Sequence, residues 1–201
     1  MQDFLNGLML LSNFLIVPAT AYGSQLALGA LGVTLVYGIL RFSNFAHGDT
    51  MAFGTMVVIL VTALFQKMGI SIDPLPTALL AIPFGIAATT LMVLISDRLV
   101  YRHQRKVKAA PVVFLISSIG LMFVLNGLVR FVIGTGDQRF SDGERFIIRF
   151  GEFKELTGLD EGIAFKTSQG LTILTAIIVV AALFWFLERT RAGKSMRAYS
   201  D

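Results

Sequence analysis

Long apolar runs separated by short polar segments dominate the pattern of this chain. A helix that crosses a membrane needs about 20 consecutive, mostly apolar residues, and six runs reach or approach that length. The pattern therefore predicts an all-α fold, a polytopic bundle of transmembrane helices. The six predicted spans cover residues 4–20, 21–41, 49–66, 76–97, 111–133 and 169–187.

The first of these runs is the weakest. Asn6 and Asn13 interrupt it, and Pro18 follows it. Its length also suits the apolar part of a secretory signal, with residues 19–21 as a cleavage site. A signal usually begins with Lys or Arg, however, and the only charge before this run is that of Asp3. We therefore favour a short or tilted first helix over a cleaved signal.

The charges of the loops predict the orientation of the bundle. Residues 98–108 hold five basic residues in eleven positions, and the tail after residue 187 is also basic. Residues 134–168 hold five basic and seven acidic residues in 35 positions. Because basic loops gather on the cytoplasmic side, the basic loop is expected inside and the mixed loop outside. A count of six spans then puts the N-terminus in the cytoplasm.

Composition narrows the classes of function. The chain is 55% hydrophobic and 15% charged, whereas soluble domains carry about 25% charged residues. The net charge of +4 fits cytoplasmic loops better than a nucleic-acid surface, because no basic face laced with aromatic residues lies outside the apolar runs. With no cysteine and two histidines, we expect no disulfide, no metal site and no cofactor.

One polar segment stands out between two apolar runs. Ser43, Asn44, His47 and Asp49 fall within seven residues, and polar groups at membrane depth usually face protein or a water-filled cavity. A helix that starts near Asp49 would point its N–H groups back at residues 44–48, which suits a carboxylate. The alternative is helix capping, since Asn and Asp are preferred caps. The residue types alone leave both interpretations open.

The same segment carries a resemblance to a known family. Residues 36–49, VYGILRFSNFAHGD, resemble the Y-G…N-F-A-H-G signature of the branched-chain amino-acid ABC-transporter permeases, and residues 116–120, ISSIG, are similar to a later segment of that family. Polar residues inside spans otherwise serve mainly as interhelical hydrogen bonds. The resemblance implies a substrate-pathway or gating role for Tyr37, Asn44, Phe45, His47 and Gly48. It assigns no particular role to the ISSIG span, where Ser118 and Asn126 are further candidates for this site as polar residues inside a span.

The basic tail resembles the start of the family's cytoplasmic coupling segment, which docks on an ATPase subunit. The match is RTRAGKSMRA, residues 189–198. Its G-K-S is not a phosphate-binding loop, because the first glycine of that motif would fall on Glu188 and no strand precedes it. The alternative is that these basic residues only hold the end of the last helix on the cytoplasmic side, as basic residues generally do in membrane proteins. The resemblance implies ATPase coupling by Arg191, Gly193, Arg197 and Ala198.

Taken together, the resemblance implies a non-enzymatic permease subunit of a bacterial ABC importer in the inner membrane. Residues 1–201 would be the N-terminal part of one permease domain, truncated at the C-terminus, because family members continue through further spans. The implied partners are a second permease, two ATPase subunits, a periplasmic substrate-binding protein and the lipid bilayer. The implied mechanism is alternating access that moves branched-chain amino acids. A urea or short-amide permease, or a non-functional fragment, are the alternatives.

Overall fold

The computed structural model of the protein describes residues 2–70, 76–138, 146–148 and 165–200. It confirms the predicted all-α membrane bundle, with five helices long and apolar enough to span a bilayer. Many large apolar side chains on these helices are exposed, as expected for surfaces that face lipid or other subunits. The five candidate spans are Asn6–Ile39, His47–Lys67, Ala78–Lys106, Pro111–Ile133 and Thr167–Arg189.

The sequence predicts a boundary between two spans at residues 20–21, but the helix continues through these residues in the structure. The first two predicted spans therefore form one long helix, and the described residues contain five candidate spans instead of six. Helix α1 (Gln2–Leu11) continues through a π-helical segment, Ser12–Ile16, into α2 (Val17–Leu40). The Val17 N–H donates to the Ser12 carbonyl, which closes a π turn directly before Pro18. Proline in a helix lacks an N–H and crowds the preceding turn. The wider turn offers a physical reason for helix continuity at this proline.

Two compact units make up the chain, Gly32–Asp142 as one and Met1–Leu31 with Gly143–Asp201 as the other. The unit Gly32–Asp142 holds helix α3 (His47–Lys67), and helix α4 (Ala78–Ser96), which continues through a second π-helical segment, Asp97–Tyr101, into α5 (Arg102–Lys106). A turn then leads to α6 (Pro111–Ile133). Proline at the first helical position suits the start of α6, where an N–H would have no intrahelical partner.

Helices α3 and α4 pack closely through small residues. Gly85 is buried, and a Cβ atom there would collide with the Val58 side chain and lie 3.2 Å from the Gly54 carbonyl oxygen. A Cβ atom on Gly54 would lie 2.5 Å from the Thr89 hydroxyl oxygen. The small residues therefore let two backbones approach, as small-residue positions do in membrane helices.

The second unit contains two short strands, β1 (Phe146–Ile148) and β2 (Phe165–Lys166), which pair antiparallel with an irregular register. Most of the predicted outer loop, residues 134–168, lies outside the described residues. Helix α7 (Thr167–Arg189) follows β2, and the Gln169 side chain accepts a hydrogen bond from the Lys166 N–H at 3.2 Å. Helix α8 (Arg191–Ser200) comes after a break at Thr190.

Candidate functional site

The candidate site is built on the break between α2 and α3. Helix α2 ends at Leu40, and Arg41 takes a left-handed conformation with φ 57°. The Arg41 N–H still donates to the Tyr37 carbonyl at 2.9 Å, the arrangement of a residue that closes a helix C-terminus. This role usually falls to glycine, so a left-handed arginine is uncommon. Residues 41–46 then run without helical structure until α3 begins at His47.

Asn44 organises this turn. Its Oδ1 atom accepts a hydrogen bond from the Ala46 N–H at 3.1 Å and a longer one from the Tyr101 hydroxyl at 3.4 Å. An asparagine that bonds to the backbone two residues on stabilises a local turn. The cap position of α3 is Ala46, which has no side-chain cap. Asn44 therefore shapes the turn that precedes the helix and does not cap the helix itself.

Ser118 of α6 holds the turn in place. Its hydroxyl oxygen accepts a hydrogen bond from the Phe45 N–H at 3.2 Å and donates to the Leu115 carbonyl at 2.7 Å. Ser118 and Ala46 are both 0% exposed. An unpaired N–H at such a buried position would be costly. The hydroxyl thus satisfies a turn donor that has no partner within α3.

Asp49 extends the contact further along α6. Its Oδ1 atom accepts a hydrogen bond from Asn126 Nδ2 at 2.9 Å, and its position in the first turn of α3 suits a negative charge. With a rise of about 1.5 Å per residue, Ser118 and Asn126 lie about 10 Å and 22 Å from the start of α6. The polar contacts therefore reach past the midpoint of a helix that is about 34 Å long.

An aromatic cluster lies beside the turn. The ring centroid of Phe42 is 5.7 Å from that of Tyr101 and 5.2 Å from that of Phe114. The Tyr101 and Phe114 rings are stacked at 6.4 Å. Such pairs contribute about 0.5–1.5 kcal/mol each beyond the area that they bury. This cluster fixes the start of the turn between the second π-helical segment and α6.

His47 packs against α2. A Cβ atom added to Gly32 would lie 2.6 Å from His47 Nε2 and 2.9 Å from His47 Cε1. A larger residue at position 32 would therefore force the imidazole to move. Gly48, by contrast, has open space around its Cα. The glycine with a close neighbour is therefore in α2 and not in the signature itself.

A small cavity of about 140 Å³ lies between these elements. Four hydroxyl or amide side chains line it, from Asn44, Thr50, Ser96 and Tyr101, beside the carboxylate of Asp97. The rest of its wall is apolar, from Val36, Met92, Val93, Leu121 and Leu125. An apolar cavity of about 150 Å³ can hold a benzene molecule. This cavity therefore has room for a small aliphatic group next to a few polar contacts.

Comparison with known proteins identifies the family. Residues 15–201 match the family described as branched-chain amino acid transport system / permease component. The chain belongs to this family. No solved structure matches the chain.

Curated relatives show how much of such a permease the chain represents. It is 28% identical over 186 residues to the high-affinity branched-chain amino acid transport system permease protein BraD of Pseudomonas aeruginosa. It is 29% identical over 179 residues to the permease protein LivH of Salmonella typhimurium, and 28% identical over 185 residues to LivH of Escherichia coli K12. These matches cover 92%, 89% and 89% of this chain, but 58%, 56% and 56% of the relatives. The chain thus spans just over half the length of these relatives.

Family membership and the five apolar helices confirm the predicted multi-pass location in a bacterial inner membrane. Among the described residues of this permease, no group of three or more histidines and carboxylates could hold a metal ion. The relatives named above are transport permeases and not enzymes.

The structure brings together only part of the predicted site of the permease. Asn44, His47, Ser118 and Asn126 all take part in the contacts around the break, as described above. The side chains of Tyr37 and Phe45 are 54% and 51% exposed. Phe45 contributes through its backbone N–H, and Tyr37 through its carbonyl. The roles of these residues in a pathway or gate stay predictions.

Sequence reasoning missed two contributors to the site, Tyr101 and Phe114. Gly32 stands out in the sequence only as one of four glycines in the stretch 32–54, and its contact with His47 could not be foreseen. Tyr101 stands among basic residues, where a tyrosine is expected at a membrane interface in any case. Asp49 and Asn126 are both visible as polar residues in or beside apolar runs, but the hydrogen bond between them is not predicted. Contacts between residues far apart in sequence leave no local pattern.

The predicted coupling segment of the permease forms helix α8. Thr190 lies at the bend before it, where its hydroxyl donates to the Phe186 carbonyl at 2.7 Å and accepts from the Gly193 N–H at 3.0 Å. Gly193 is buried, and a Cβ atom there would collide with the backbone of Phe186 and Leu187. Gly193 is therefore needed for the bend itself. Arg191 is exposed, and the side chains of Arg197 and Ala198 lie outside the described residues.

Proposed function

We propose that this chain forms the N-terminal part of a permease domain in a bacterial ABC importer for branched-chain amino acids. The single observation that carries this proposal is the family match over residues 15–201. The printed function of the relatives BraD and LivH, high-affinity branched-chain amino acid transport, supports the choice of substrate class. In this proposal, residues 1–201 belong to one permease domain.

The proposed assembly has a second permease, two ATPase subunits and a periplasmic binding protein. ATP would be hydrolysed by the partner subunits, because the only G-K-S of this chain lacks the rest of a phosphate-binding loop. Helix α8 would contact an ATPase, with Arg191, Arg197 and Ala198 at the contact. The bend at Thr190 would set the direction of that helix, and Gly193 would allow the bend.

The break at residues 41–49 is proposed to be a gate beside the transport pathway. Its polar atoms are largely committed to each other, through the bonds of Asn44, Ser118 and the Asp49–Asn126 pair. A group that is already paired must exchange partners before it can bind a substrate. The small cavity beside Asn44 suits the aliphatic part of a branched-chain amino acid. Alternating access would open and close this region.

The test of the proposed function is uptake by the assembled importer. The permease would be produced with its binding protein and ATPase subunits in a strain without branched-chain amino-acid uptake. We expect ATP-dependent accumulation of labelled leucine, isoleucine or valine, and none of labelled urea. Uptake of urea without uptake of leucine would assign the permease to the urea and short-amide branch. No uptake of either by a correctly assembled complex would contradict the proposal.

The test of the gate compares two variants that remove hydrogen bonds of the Asn44 Oδ1 atom. Asn44→Leu removes both contacts of Oδ1, whereas Tyr101→Phe removes only the long bond from the hydroxyl. Uptake per folded permease should fall strongly in Asn44→Leu and less in Tyr101→Phe. The matched control is Thr90→Val, which removes an exposed hydroxyl that bonds only within its own helix. If uptake per folded permease is unchanged in Asn44→Leu, the break is a structural turn and not a gate.

A further inference from the structure

A basic cavity lies on the last turns of the helix Ala78–Lys106. Its volume is about 360 Å³, and its lining residues are Arg98, Arg102, His103 and Lys106. All four are exposed. Arg98, Arg102 and Lys106 recur every four residues, which places them on one side of a helix. The cavity therefore presents three permanent positive charges and an imidazole to one occupant.

The nearest carboxylate does not neutralise this group by an ion pair. Asp97 is the only acidic residue in positions 97–110, and both its oxygens bond to Arg105 at 2.8 Å. Over the described parts of the chain, the four lining residues form no ion pair within 4.0 Å. Arg102 also interacts with Asp97 electrostatically, but this single carboxylate is shared with Arg105, and the basic side chains repel one another in the absence of a further anion. The positive charge of this cavity therefore favours the binding of an anionic ligand.

The surroundings of the cavity are apolar. Leu99 follows Arg98 directly and is 75% exposed. On the turns before it, Leu91, Leu94 and Ile95 are also exposed. A free phosphate would gain nothing from these side chains, whereas a phospholipid carries its phosphate directly above acyl chains. Long basic side chains at a helix end reach the headgroup level while their stems cover apolar surface.

We propose that this cavity binds the phosphate of an anionic phospholipid in the cytoplasmic leaflet. Arg98 and Arg102 would hold the phosphate oxygens, because guanidinium groups match them with paired hydrogen bonds. Lys106 would add a point charge, and the exposed leucines would contact the acyl chains. Basic pockets beside membrane helices on the cytoplasmic side bind lipid headgroups in this way. The proposal depends only on the membrane location of the helix and not on the transported substrate.

The experiment measures lipid retention by the purified full chain in detergent, with native mass spectrometry. The probes are phosphatidylglycerol and phosphatidylcholine of equal chain length. The test variant is R98Q/R102Q/K106Q, and the matched control is K67Q/R130Q/R189Q, which removes three positive charges from exposed side chains elsewhere. We expect at least tenfold preference for phosphatidylglycerol in the wild-type chain. The test variant should lose most of this preference, and the control should stay within twofold of wild type.

Other outcomes would overturn the proposal. An equal loss in both triple variants would mean that net charge alone attracts the lipid. Complete competition by inorganic phosphate would assign the cavity to a free phosphate. Unchanged preference in a folded test variant would exclude the cavity. If the triple variant does not fold, Arg98→Gln and Arg102→Gln alone should each reduce the preference, and Arg98→Lys should reduce it less.

Discussion

The imidazole of His47 occupies the space that a side chain at residue 32 would need, because Nε2 lies 2.6 Å from the ideal Cβ position of Gly32. The contact joins α2 to the first residue of α3 across the break of the chain. It gives His47 a packing role that does not depend on its charge. It also places the requirement for glycine in α2, at a position that the signature does not include.

Enlarging Gly32 should therefore displace the histidine. Gly32→Val is expected to destabilise the permease by about 1–3 kcal/mol, the usual cost of overpacking, while Gly48→Val should cost less because its Cα faces open space. Adding His47→Ala to Gly32→Val should restore much of the lost stability. Thermal unfolding of the three single variants and the double variant in detergent measures this. Equal stability of Gly32→Val and wild type would contradict the contact.

The packing of α3 on α4 gives a second prediction. Gly85→Leu should separate the two helices, because even a Cβ atom at this position meets Val58 and the Gly54 backbone. We expect a loss of about 1–3 kcal/mol and a lower yield of folded protein. Gly120→Leu is the matched control, since nothing lies within 4 Å of its ideal Cβ position. Similar yields and melting temperatures for both variants would show that the helices do not meet at Gly85.

The bond between Asn126 and Asp49 can be measured by a double-mutant cycle of Asn126→Ala and Asp49→Ala. Hydrogen bonds between membrane helices contribute about 0.6 kcal/mol on average, with a maximum near about 1.7 kcal/mol. We expect a coupling energy in this range from unfolding in detergent. Thr55→Ala with Asn126→Ala is the control cycle, because the Thr55 hydroxyl bonds within α3. A coupling energy no larger than that of the control would exclude the bond.

The continuous helix Asn6–Ile39 changes the expected side of the N-terminus. If this helix crosses the membrane once, Gln2 lies on the periplasmic side, opposite to the prediction from six spans. Single cysteines at Gln2, Lys106 and Thr135 test this with a membrane-impermeant reagent. We expect Gln2→Cys and Thr135→Cys to be labelled from outside and Lys106→Cys only after the membrane is opened. Labelling of Gln2→Cys only from the cytoplasmic side would restore the count of six spans.

The bend before α8 gives the last prediction. Thr190→Val removes both hydrogen bonds of the hydroxyl and should cost about 0.5–2 kcal/mol, as the loss of a helix cap does. Thr190→Ser keeps the hydroxyl and should stay near wild type. If α8 contacts an ATPase, Thr190→Val should also reduce copurification of that subunit. Unchanged stability in Thr190→Val would show that the bend does not depend on the hydroxyl.

Much of the fold follows from hydropathy alone. The predicted span 111–133 coincides with α6, and the span 49–66 differs from α3 by no more than two residues at either end. These helices begin and end where polar or proline residues interrupt an apolar run. One exception is the helix Ala78–Lys106, which continues nine residues past the predicted end at residue 97. The other exception is the first helix, where Pro18 suggests a boundary. A change of helix type, which hydropathy does not report, keeps the helix continuous there.

The site is less predictable than the fold. Asn44, His47, Ser118 and Asn126 are visible because polar residues are rare in apolar runs. The partners of the first two cannot be inferred, since Tyr101 and Gly32 meet them only through packing of separate helices. The signature also suggests that Gly48 needs the conformational freedom of glycine. In the structure Gly48 lies in the first turn of α3, without a positive φ and without a close neighbour.

The π-helical segment Asp97–Tyr101 sets the rotation of α5 about the helix axis relative to α4. An α-helix turns by about 100° per residue, and a π turn accommodates one additional residue. Tyr101 faces the turn at Asn44, and three of the four residues that line the basic cavity, Arg102, His103 and Lys106, come after it. Conversion of this segment to regular α-helix would rotate everything beyond it by about 100° relative to α4. The one additional residue in the π turn therefore sets the direction in which the basic end of the helix faces.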